Sequence, residues 1–140
     1  MRKLLALLAS LSLVLGLTVF SAGSATALGG ETFGCRVAPG PWTPYQEYCQ
    51  NSWYADEYNV GFAVENVTGP ATYSWSIPAP YTSMIYVGCT SSSYDCAIMV
   101  PNNGSHTVSV SVTITQGGAS RTLSATGFVT YFQNCGEYYC

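Results

Sequence analysis

Three observations predict an all-β fold, an antiparallel β-sandwich of about seven strands held by disulfides. Residues 107–129 alternate apolar side chains with Ser and Thr, and Gly117-Gly118 interrupts the alternation where a hairpin turn is needed. Turn signals recur every several residues after position 28, and no helical periodicity occurs there. The chain has six cysteines, an even number that favours disulfide pairing in an exported domain.

The N-terminus has the pattern of a secretory signal peptide, residues 1–27. Arg2 and Lys3 are positively charged, residues 4–20 are apolar, and Ala25-Thr26-Ala27 fits the small-residue cleavage rule. We therefore expect a secreted, extracellular protein in which residues 28–140 form a single domain, with no membrane span after cleavage. An uncleaved anchor is the alternative, because the apolar run is near the lower length limit for a membrane helix.

About seven segments of the chain after the signal peptide have the alternation or the apolar run expected of strands. In chain order they are residues 31–38, 58–65, 71–77, 82–88, 96–100, 106–115 and 120–132. Residues 39–57 lack this pattern, because their prolines and glycine block regular structure. The sequence therefore predicts a long aromatic-rich loop there, and loops of this length are often functional.

Two of these segments carry a resemblance to known domains. Residues 71–77, ATYSWSI, and residues 108–114, VSVSVTI, resemble bacterial immunoglobulin-like and PKD-type domains, in which a strand with a central Trp precedes a valine-rich final hairpin. The resemblance covers residues 58–130 and implies an immunoglobulin-like sandwich. The Asp-Gly turn usual after the PKD tryptophan is replaced by Pro78-Ala79-Pro80, and the resemblance carries over no functional residue.

The strand order of such a sandwich places alternate loops at the same pole. Loop 39–57, the turns after residues 77 and 100, and the C-terminus would then lie together. Cys89 and Cys96 flank one turn and are expected to form a disulfide. The other four cysteines pair either as neighbours, which we favour, or in a crossed set. These alternatives are Cys35–Cys49 with Cys135–Cys140, or Cys35–Cys135 with Cys49–Cys140.

The pole that contains loop 39–57 is rich in aromatic side chains, and we call it the aromatic pole. Its candidate ligand-binding residues are Trp42, Tyr45, Tyr48, Trp53, Tyr54, Tyr138 and Tyr139, with Tyr131 and Phe132 beside them. Such side chains combine a large contact area with a polar tip. A sugar would stack on Trp42 or Trp53, whereas a protein partner would contact the tyrosines. The alternative is a satellite core under the loop.

The sequence contains few residues that could catalyse a reaction, so we expect that the protein is not an enzyme. A Ser-His-Asp arrangement would need His106 with Asp56 or Asp95, and no Gly-x-Ser-x-Gly motif surrounds any serine. Asp56 and Glu57 are adjacent, so on a strand they point to opposite faces and do not form the facing pair of a glycosidase.

Metal and nucleic-acid binding are not expected either. The sequence has no Cys-x-x-Cys pair and no Asp-x-Asp-x-Asp loop, so we predict no metal and no cofactor. After cleavage, Arg36 and Arg121 are the strong bases that remain against seven acidic residues, too few to neutralise a run of phosphates.

These observations favour a secreted, non-enzymatic binding or structural module that recognises an extracellular glycan or protein through the aromatic pole. The alternative is a secreted inhibitor or toxin-like effector that acts through loop 89–96, and the third hypothesis is a small secreted hydrolase. Asn66-Val67-Thr68 and Asn103-Gly104-Ser105 match the N-glycan acceptor pattern in predicted turns.

Overall fold

The computed structural model of the chain describes residues 28–41 and 43–133. These residues form eight strands, with a short 3-10 turn at Tyr81–Met84 before the fifth. No helix in this part of the chain has the length and apolar character needed to cross a membrane. The strands are β1 (Thr32–Ala38), β2 (Tyr48–Gln50), β3 (Glu57–Glu65), β4 (Thr72–Ser76), β5 (Ile85–Gly88), β6 (Asp95–Pro101), β7 (His106–Gln116) and β8 (Ala119–Val129).

The strands form two four-stranded sheets that share one hydrophobic core. The first sheet has the order β1-β3-β6-β5 and the second the order β2-β8-β7-β4. Both sheets contribute fully buried side chains to the core. They include Tyr58, Val60, Phe62, Ile98 and Val100 from the first sheet and Val108, Val110, Val112 and Ile114 from the second. The predicted all-β, sandwich-like architecture is therefore confirmed.

The hairpin of β7 and β8 explains the alternation in the sequence. The valines and Ile114 of β7 are buried between the sheets, together with Ala125 and Val129 of β8, and Ser and Thr hydroxyls of the two strands pair across the outer face. The paired hydroxyl oxygens are 2.8–3.0 Å apart in Ser109–Thr126, Ser111–Ser124, Thr113–Thr122 and Thr115–Ser120. Gly117 and Gly118 have φ angles of 57° and 84°, which is the backbone that the turn requires.

The structure corrects two details of the predicted strands. β2 lies inside the segment that was predicted to be all loop, and it runs parallel to β8 rather than antiparallel. The segment predicted as strand 82–88 begins as a turn, because the Ser83 amide donates a local hydrogen bond to the Pro80 carbonyl. The strand therefore starts only at Ile85.

Two disulfides join neighbouring cysteines. Cys35–Cys49 connects β1 of the first sheet to β2 of the second, with a Cα–Cα distance of 5.7 Å. Cys89–Cys96 closes the loop between β5 and β6, with a Cα–Cα distance of 4.4 Å. The favoured neighbour pairing of Cys35 is therefore present instead of the crossed one. Cys135 and Cys140 lie outside the described residues, so their pairing stays a prediction.

Candidate functional site

Two asparagine side chains hold one pole of the sandwich together. The Asn51 amide nitrogen donates to the Thr130 carbonyl at 2.8 Å, and its Oδ1 accepts from the Thr130 amide at 2.7 Å. Asn102 binds the backbone of Phe132 in the same manner, at 2.9 and 3.1 Å. The backbone amide of Asn102 also donates to the Asp56 carbonyl. The loop before β3, the turn after β6 and the segment after β8 therefore meet at one pole, as the predicted topology requires.

Replacing Asn51 by Ala is expected to lower the free energy of unfolding by about 1–3 kcal/mol, because both backbone groups of Thr130 lose their partner. Asn51 is buried, which limits the access of water to its side of these bonds. Urea unfolding measures the change. The variant Asn51→Asp keeps the acceptor but sets a buried carboxylate oxygen against the Thr130 carbonyl, so it is expected to lose at least as much as Asn51→Ala. A change within about 0.5 kcal/mol for Asn51→Ala would contradict the role of this contact.

The aromatic side chains at this pole form a cleft. Ser52, Trp53, Tyr54 and Phe132 line a volume of about 320 Å³, and we call it the aromatic cleft. Trp53 is 57% exposed at its margin, whereas Tyr54 and Phe132 are partly buried. The Tyr54 hydroxyl donates to Asp56 Oδ1 at 2.7 Å. The cleft thus places an exposed indole ring next to a tyrosine that is held by a carboxylate.

The other candidate aromatics are not all brought to this cleft. Tyr48 is 62% exposed on β2 and lines a neighbouring cleft together with Phe128. Ser52 lines both this cleft and the aromatic cleft. Tyr45 lies elsewhere, on the first sheet, where its ring packs 4.9 Å from the Arg36 guanidinium carbon. The predicted single cluster is therefore wrong for Tyr45. Trp42, Tyr138 and Tyr139 lie outside the described residues.

Tyr45 is displaced because its segment runs along the edge of β1. Cys35 and Gln46 exchange two backbone hydrogen bonds, of 2.6 and 3.1 Å, and this bridge fixes the course of the neighbouring residues. Burial raises the pKa of the Tyr45 hydroxyl, while the nearby Arg36 charge lowers it. Tyr45 therefore remains a neutral hydrogen-bonding side chain near neutral pH.

A further depression, which was not predicted from the sequence, lies on the outer face of the first sheet. Its floor contains Gly61 and Ala97, its walls include Tyr45 and Asp95, and its volume is about 340 Å³. The signal available in the sequence was the pair of small residues at outward-facing positions of β3 and β6. A glycine inside a strand often marks a place where other groups approach the backbone closely.

Loop 89–96 is braced against the second sheet. The Trp75 indole nitrogen donates to the carbonyls of Thr90 and Ser93, at 3.1 and 3.2 Å. The Tyr73 amide donates to the Ser91 carbonyl at 3.0 Å. Trp75, the tryptophan on which the immunoglobulin-like resemblance is based, therefore anchors the disulfide-closed loop. The loop follows β5, an edge strand of the first sheet, and Trp75 lies on β4, an edge strand of the second.

His106 contacts Asn103 and Tyr81. Its Nε2 lies 3.0 Å from Asn103 Oδ1, and its ring makes an edge contact with Tyr81. A triad would instead need a contact with Asp56 or Asp95. Among the described residues, no three His, Cys, Asp or Glu side chains are grouped closely enough to hold a metal ion.

No protein-family model matches the chain, and no curated protein matches it either.

Proposed function

We propose that this protein is a secreted, non-enzymatic immunoglobulin-like module that binds an extracellular glycan through the aromatic cleft. The strand order supports the fold assignment, because β1-β3-β6-β5 and β8-β7-β4 correspond to the ABED and GFC sheets of that fold. β2 adds a parallel strand beside β8. The two disulfides and the predicted signal peptide support export.

The observation that carries the glycan proposal is the exposure of Trp53 at a fixed position. The Asn51 contacts with Thr130 hold the adjacent backbone, so the indole is presented from an ordered segment. Binding sites for small polar ligands combine aromatic walls with a few placed polar groups. The indole supplies a stacking surface for the C–H face of a sugar, and the exposed Asp56 carboxylate has further lone pairs for sugar hydroxyls.

Replacing Trp53 by Ala is expected to weaken glycan binding by at least about tenfold, because central aromatic contacts dominate small interfaces. A glycan array identifies the ligands of the wild-type protein, and titration of the best ligand then measures the loss. Tyr86→Ala is the matched control, since Tyr86 is 69% exposed on β5 and outside the cleft. Equal binding by the wild type and Trp53→Ala, or equal loss in both variants, would overturn the proposal.

A second candidate, a protein inhibitor or effector, is favoured by the bracing of loop 89–96. A loop that is held before binding loses less conformational entropy when it docks. Tyr94 is exposed in this loop and would be its contact residue. Capture of a protein partner that is lost in Tyr94→Ala and kept in Trp53→Ala would favour this candidate over the glycan module.

A further inference from the structure

We infer that Asn103, in the turn between β6 and β7, is a modification site. The Asn103 side-chain amide is converted into a carboxylate by deamidation, with the turn backbone as the attacking group. Asn103 is exposed in this turn and is followed by Gly104. A Cβ built on Gly104 meets no atom within 4 Å apart from its chain neighbours, so no other segment of the protein crowds the position that follows Asn103. This inference is independent of the glycan proposal.

The reaction needs only water. The Gly104 backbone nitrogen attacks Cγ of Asn103, a new N–C bond forms, and the Gly104 amide proton passes to water or hydroxide. The bond between Cγ and Nδ2 then breaks, and the side-chain nitrogen leaves as ammonia after taking up a proton. Water opens the resulting cyclic imide at either carbonyl, which gives aspartate or isoaspartate at position 103.

His106 is placed to assist the first step. Its Nε2 is 3.0 Å from Asn103 Oδ1, and because a carbonyl oxygen only accepts, Nε2 carries the proton of this hydrogen bond. Negative charge develops on Oδ1 when the Gly104 nitrogen attacks. A hydrogen-bond donor that already points at the developing charge stabilises the transition state. The contact with Tyr81, at 6.2 Å between ring centroids, holds the imidazole in this position.

The other described asparagines whose side-chain hydrogen bonds are known do not combine an exposed side chain with a following glycine. Asn51 and Asn102 each have both amide atoms bonded to backbone, which prevents the side chain from turning toward the next residue. Asn66 is exposed, but Val67 follows it, and a β-branched side chain crowds the attacking nitrogen. Asn66, whose Nδ2 also donates to the Thr32 hydroxyl at 3.2 Å, is therefore the internal comparison within the same molecule.

Incubation of the purified protein at neutral pH tests the inference. Peptide mapping by mass spectrometry, with an isoaspartyl methyltransferase assay, measures conversion at each asparagine. We expect Asn103 to convert before Asn66 and Asn51. The variant Gly104→Ala is expected to slow conversion, and the open space at Gly104 makes this substitution compatible with the fold. His106→Phe keeps an aromatic ring against Tyr81 and is expected to slow conversion by about two- to tenfold, the effect of one exposed hydrogen bond.

The site assignment and the role of His106 are each contradicted by a different result. Conversion at Asn66 that equals or exceeds conversion at Asn103 would overturn the assignment of the site. Unchanged or faster conversion in His106→Phe would overturn the role of the imidazole, since the hydrogen bond would then restrain the amide instead of activating it. Circular dichroism of both variants before incubation verifies that the fold is retained.

Discussion

The variant Phe62→Ala is expected to lose about 3–5 kcal/mol of the free energy of unfolding. Phe62 is fully buried in β3, between the two sheets. Its ring stacks on Phe33 at 6.1 Å between centroids, and Phe33 in turn contacts Trp75 at 5.9 Å. These neighbours are fixed by β1 and by the Trp75 hydrogen bonds to loop 89–96, so they cannot move in to fill the cavity. Guanidinium unfolding followed by tryptophan fluorescence measures the loss.

Two variants separate this cavity effect from a general effect of losing an aromatic ring. Tyr86→Ala removes an exposed ring of the same sheet and is expected to change stability by less than about 0.5 kcal/mol. Phe62→Leu leaves a smaller cavity and is expected to lie between the two. If Phe62→Ala cost no more than Tyr86→Ala, the two sheets would not enclose Phe62 in the way described.

The sequence was sufficient to predict the fold where buried and exposed residues alternate along a long strand. The hairpin was predicted at residues 106–115 and 120–132, and its strands span His106–Gln116 and Ala119–Val129. A shift of one residue would turn Val110 and its neighbours to water and the Ser and Thr hydroxyls into the core. The core and the hairpin turn were therefore specified by the local pattern.

The sequence did not predict the parts of the fold that are held by backbone hydrogen bonds alone. β2 has three residues, too few to show a period, and its partner β8 is distant in the chain. The bridge between Cys35 and Gln46 uses only backbone groups, so it leaves no mark in the residue pattern. This is why the displacement of Tyr45 from the aromatic cleft could not be predicted, although the pole itself followed from strand order.

Removal of the Cys35–Cys49 disulfide by the double variant Cys35→Ala/Cys49→Ala is expected to lower the free energy of unfolding by about 3 kcal/mol. The bond spans 14 residues, and it links β1 to β2 across the two sheets. Without it, the unfolded chain gains conformational freedom, and β2 is held by its short parallel pairing with β8 and by the backbone bridge between Cys35 and Gln46. Denaturant unfolding without reductant measures the change.

The double variant Cys89→Ala/Cys96→Ala is the matched control for this prediction. Its bond spans only 7 residues, and the Cys89 amide still donates to the Asp95 carbonyl at 2.9 Å, so we expect a smaller loss of about 2 kcal/mol. Hydrogen exchange then locates each effect. In the Cys35/Cys49 variant the amides of β2 should exchange faster while β7 keeps its protection. Equal acceleration in both strands would contradict the conclusion that this disulfide acts mainly by fastening β2 to the first sheet.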